Sequence, residues 1–128
     1  MKTTMLKILS IAALIGLFSQ QAMAQEAGAA LKQISDIVAS LNHFPSDADK
    51  ATLAEIAAND SLPQGLRNMA NAVANINHSA SAEAKEQMAA IQANDAAPDG
   101  AKALAGVIAG LNHVPSDDAK ATLAQYFP

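Results

Sequence analysis

Moved along itself by 70 residues, the chain meets its own image. Leu41 to Ala54 and Leu111 to Ala124 differ only where Phe44, Ala48 and Asp49 face Val114, Asp118 and Ala119. Half that shift uncovers a more diverged middle copy, Ile76-Asn77-His78-Ser79-Ala80-Ser81-Ala82-Glu83-Ala84-Lys85. The period is therefore 35 residues, and the copies run 25–59, 60–94 and 95–128. A unit of this length is one supersecondary element that cannot bury its apolar side alone, so neighbouring copies must share a core.

Inside each copy the apolar residues are spaced by three and four: Leu31, Ile34, Val38, Leu41, then Leu66, Met69, Val73, Ile76, then Ala101, Leu104, Ile108, Leu111. That spacing predicts a first helix over roughly 28–42, 63–77 and 98–112, with Pro63 and Pro98 at its start, where a missing N–H costs nothing. A second helix is expected over 47–58, 82–93 and 117–127. Ser46, Ser81 and Ser116 cap it, and Asp47, Asp49, Glu83, Asp117 and Asp118 in its first turn suit the helix dipole. Leu53 and Ile56, Met88 and Ile91, and Leu123 and Tyr126 are its apolar anchors, and Asn59 and Asn94 its stops, since Asn tolerates the left-handed conformation. Roughly a quarter of the residues from Gln25 onward are alanine, the best helix former. The fold class is all-α: three tandem helical hairpins, six short antiparallel helices, forming a solenoid-like stack or a compact helical bundle. Repeat spacing favours the solenoid, with Tyr126 and Phe127 protecting one end.

Residues 1–24 have the layout of a cleaved secretory signal peptide. Lys2 and Lys7 are followed by the apolar run Ile8 to Phe18 and by Ala22-Met23-Ala24, with cleavage expected after Ala24. The run is short for a membrane anchor, and the layout suits a bacterial periplasmic or secreted protein. Losing Lys2 and Lys7 takes the net charge from −4 to −6, which argues against nucleic acid and anionic membranes as partners. There is no cysteine, so neither disulfides nor thiol chemistry contributes.

Ala39, Ala51, Ala58 and Pro63 fall at the small-residue and proline spacing of tetratricopeptide repeats, and Ala74, Ala93 and Pro98 keep part of it, with Glu86 replacing one alanine. The chain resembles that family in architecture only. The bulky aromatic positions are absent and the period is one residue longer, so no binding residue carries over. The resemblance implies a peptide held in a concave groove.

One polar constellation recurs, Asn-His-x-x-Ser-x-x-x-Lys: Asn42, His43, Ser46, Lys50; Asn77, His78, Ser81, Lys85; Asn112, His113, Ser116, Lys120. Its structural reading makes Asn the stop of the first helix, Ser the cap of the second, and Lys a partner for the acidic first turn or part of a solvated face. The functional reading is a ledge that binds an anion, a partner or, through His43, His78 and His113, a metal such as copper or zinc. Histidine is what the structural reading explains least. In an open array, however, one histidine per copy is spaced by helix widths of about 10 Å or more and does not converge on one ion. Phe44, Pro45, Val114 and Pro115 beside the histidines read as staples pinning the turns.

Nothing in the chain matches a nucleophile motif, a phosphate loop or a zinc-protease helix, and no cofactor is indicated. The expectation from sequence is a non-enzymatic interaction module with a protein or peptide partner, the alternative being a small-ligand or metal carrier using the repeated turn.

Overall fold

The computed structural model describes residues 25–128, so the expected signal peptide and cleavage after Ala24 lie outside the described residues. Six helices follow one another: α1 (25–39), α2 (Asp47–Ala58), α3 (Gln64–Ala74), α4 (Ala82–Ala93), α5 (Asp99–Gly110) and α6 (Asp117–Tyr126). Odd-numbered helices are the first member of each hairpin and even-numbered ones the second.

The even helices start where their caps require. Ser46 Oγ accepts from the Asp49 N–H, Ser81 Oγ from Ala84 and Ser116 Oγ from Ala119, each at 3.1 Å. Odd helices begin after Pro63 and Pro98, whose backbones are extended with ψ of 148° and 150°. Two expectations need correcting. The odd helices end two or three residues early, at 39, 74 and 110, because Leu41, Ile76 and Leu111 turn inward as the chain leaves the helix. Asn59 and Asn94 end α2 and α4 with φ of −82° and −83°, so they are not left-handed stops. Each instead uses its side-chain oxygen to accept the N–H two residues on, from Ser61 and Ala96.

Packing follows the 35-residue period. Ile34, Met69 and Leu104 are equivalent and buried, as are Val38, Val73 and Ile108, and Leu41, Ile76 and Leu111. The odd helices thus supply two layers of the core, and the residues just past their ends supply a third. Each even helix adds one fully buried anchor, Leu53, Met88 or Leu123. Burial of each such side chain stabilises by about 1.5–3 kcal/mol. α2 packs on α3 and α4 on α5, each of them the odd helix of the next copy, while α6 packs on α5 of its own copy. Ala70, Ala72 and Ala105 let these helices approach closely.

The array is not an open solenoid. The His78 N–H donates to the His43 carbonyl at 2.7 Å, the His113 N–H to the His78 carbonyl at 2.6 Å, and the His43 N–H to the His113 carbonyl at 2.6 Å. These bonds form a cycle that ties the first copy to the third, so the hairpins close into a bundle around a pseudo-threefold axis. Closure fills the inner face with core side chains, where an open array would present a concave groove. Phe127 packs against the core, lying so close to Gly100 that a side chain there would meet its ring at 3.1 Å, whereas Tyr126 is exposed.

Candidate metal centre

The turn between the helices of each hairpin is anchored by a buried residue, Pro45, Ala80 or Pro115. The preceding residues do not share that burial: Phe44 is 58% exposed and Val114 48%. The staple role therefore belongs to the prolines, and the aromatic and aliphatic side chains beside the histidines face solvent.

Between this anchor and the helix end, the backbone makes an unusual reversal. His43, His78 and His113 have φ of 71°, 71° and 70°, the only non-glycine residues with positive φ among those described. In the outer copies the residue after histidine donates back to the residue before it, Phe44 N–H to Asn42 O and Val114 N–H to Asn112 O, both at 2.8 Å. This is the γ-turn with positive φ at its centre, a rare and strained conformation. Left-handed backbone costs an L-residue about 1–2 kcal/mol, and glycine or asparagine would carry it more cheaply than histidine. Three equivalent positions nevertheless hold histidine. The hydrogen-bond cycle offsets part of the cost, since each of these residues uses both its N–H and its C=O in it.

Cyclic pairing of the backbones gathers the side chains. Imidazole centroids lie 5.2 Å apart for His43–His78 and His43–His113, and 4.9 Å for His78–His113. One ring nitrogen from each residue falls within 4.8 Å of the others. Corners of a triangle with sides up to 4.8 Å are within about 2.8 Å of its centre, against zinc–nitrogen bonds of about 2.0–2.1 Å. Bonding distance requires each nitrogen to move about 0.7 Å toward the axis. The expectation that one histidine per copy fails to converge is thus overturned by closure of the ring, which brings to one axis what an open stack would hold apart.

Two of the rings are oriented by their neighbours. His43 Nδ1 is 2.6 Å from Asn42 Oδ1, and His113 Nδ1 is 2.7 Å from Asn112 Oδ1. With the amide oxygen accepting, the proton sits on Nδ1 and the lone pair on Nε2, which leaves Nε2 open to a metal. No such bond joins Asn77 to His78. The sequence marks Asn42 and Asn112 as helix stops; their adjacency to histidine was the signal for this orienting role. His43 is half-buried, while His78 and His113 are exposed.

Other members of the recurring motif stand apart from the cluster. The serine hydroxyls are engaged as helix caps, which leaves each amino end already served. Lys50, Lys85 and Lys120 are exposed and make no ion pair among the described residues. No helix among the described residues is long and apolar enough to cross a membrane. No protein-family model, curated protein or solved structure matches this chain.

Proposed function

We propose that this chain binds one transition-metal ion on its axis through His43, His78 and His113. The observation that carries the reading is the convergence of three ring nitrogens within 4.8 Å of one another. Supporting it are the Nδ1 bonds to Asn42 and Asn112, and the recurrence of histidine at three equivalent positions of positive φ. Three neutral nitrogen donors suit zinc, copper or nickel. Magnesium and calcium take oxygen ligands and are disfavoured. The acidic net charge draws cations toward the protein.

Isothermal titration with zinc tests the proposal. One ion bound per chain, with uptake lost when all three histidines become asparagine, is the expected result. Asparagine is the right replacement because it removes the imidazole yet tolerates positive φ. Uptake unchanged in that variant would refute the assignment.

A protein or peptide partner is a second reading, favoured by the exposure of Phe44 and Val114 on the same face. With either reading goes export to the periplasm or beyond, which rests on Lys2, Lys7, the Ile8–Phe18 run and Ala22-Met23-Ala24. Amino-terminal sequencing of protein from the producing cell checks this: a chain beginning at Gln25 is expected.

A further inference from the structure

The three histidines can occupy only one side of a bound ion. Inward of them, the cycle of backbone bonds and the buried Leu41, Ile76 and Leu111 fill the axis. Among the described residues no carboxylate joins the cluster at ligand distance. The remaining coordination position therefore faces outward, beside two exposed imidazoles, and falls to solvent. Structural zinc sites are closed by four protein ligands. Three histidines plus water is the arrangement in which zinc generates hydroxide near neutral pH.

Resting on the metal-binding reading above, we infer that the zinc-loaded protein hydrolyses neutral acyl esters at this outward position. Zinc held by His43, His78 and His113 would supply a hydroxide whose oxygen bonds to the acyl carbon. The carbon–oxygen bond to the leaving group would then break, its electron pair departing with the alkoxide or phenolate, and the proton brought in by the hydroxide would pass to that oxygen. A new water takes the vacated position and releases its proton to solvent, so one ester and one water give a carboxylate, the alcohol and a proton. Zinc stays divalent throughout, and no redox partner is required.

Substrate class follows from the rim. Phe44 and Val114 stand exposed next to two of the ligands, while the third turn carries the smaller Ser79. That leaves an apolar shelf on two sides and a gap on the third, suited to an acyl or aryl group. Beyond it, the first five residues of the even helices carry Asp47, Asp49, Glu83, Glu86, Asp117 and Asp118 against Lys50, Lys85 and Lys120. This acidic excess disfavours anionic substrates such as phosphate monoesters.

The test is release of p-nitrophenolate from p-nitrophenyl acetate, with one equivalent of zinc added to the protein and zinc uptake measured in parallel by calorimetry. A rate at least roughly tenfold above protein without zinc and zinc without protein is expected, abolished by chelator and by the triple His→Asn variant. Phe44→Ser combined with Val114→Ser should raise KM severalfold. Zinc bound at one per chain with no rate above those controls would overturn the hydrolytic inference and leave the binding site standing. No zinc uptake at all would remove both. p-Nitrophenyl phosphate cleaved as fast as the acetate would overturn the assigned substrate class.

Discussion

Replacing His78 separates the backbone's demands from the side chain's. At φ 71° an L-residue carries a left-handed penalty of about 1–2 kcal/mol that glycine escapes. Glycine returns about 0.5–1 kcal/mol of that through the greater freedom of its unfolded chain. His78 is the cleanest position, because its ring lacks the asparagine bond that orients His43 and His113. In the metal-free protein, His78→Gly should therefore be more stable than His78→Ala by about 0.5–1 kcal/mol, with His78→Asn between them and His78→Val below alanine. For a domain near 100 residues each kcal/mol moves Tm by about 4–8 °C. Thermal unfolding followed by far-ultraviolet circular dichroism in chelator reads that difference directly. Adding zinc should then reverse the ranking in favour of histidine. Alanine equal to or better than glycine in chelator would refute the left-handed assignment and, with it, the argument that histidine is kept here against a backbone cost.

Zinc at about 100 times its dissociation constant should stabilise the protein by about 2.7 kcal/mol, visible as a rise in Tm that the triple His→Asn variant lacks. Ser46→Ala, Ser81→Ala and Ser116→Ala should each cost about 1 kcal/mol in urea unfolding, since each removes a bond to an amino-terminal N–H. Gly28→Ala, with nothing near its Cβ position, should gain about 0.5–1 kcal/mol. Gly100→Ala should gain less, because the new methyl would press on Phe127.

Local structure was legible because it depends on local chemistry. The 3–4 spacing of apolar residues and the three serines placed the even helices to within a residue of their observed limits. The carboxyl ends of the odd helices were less legible. Asn42 looks like a stop, yet the chain has already left the helix at Leu41 so that this side chain can enter the core. Closure was invisible, because no single residue encodes the angle by which one hairpin turns from the next. That angle emerges from the packing of α2 on α3 and α4 on α5. The three histidines were picked out by their register, but their meeting depends on the closed ring. The positive φ that gives them meaning is likewise a backbone property that no spacing rule reports.

The cycle of backbone bonds also fixes a number. In an open array a further copy can be appended, and each new hairpin gains the same interface as the last. Here the donor of the first copy is spent on the acceptor of the third, so a fourth hairpin would find no place without breaking the triangle, and two would leave it unclosed. Growth by duplication, the usual history of tandem repeats, is thereby halted at three. From then on the units are free to drift apart wherever the cycle of backbone bonds is kept, and the middle copy has done so even inside its turn, at Ser79 and Ala80.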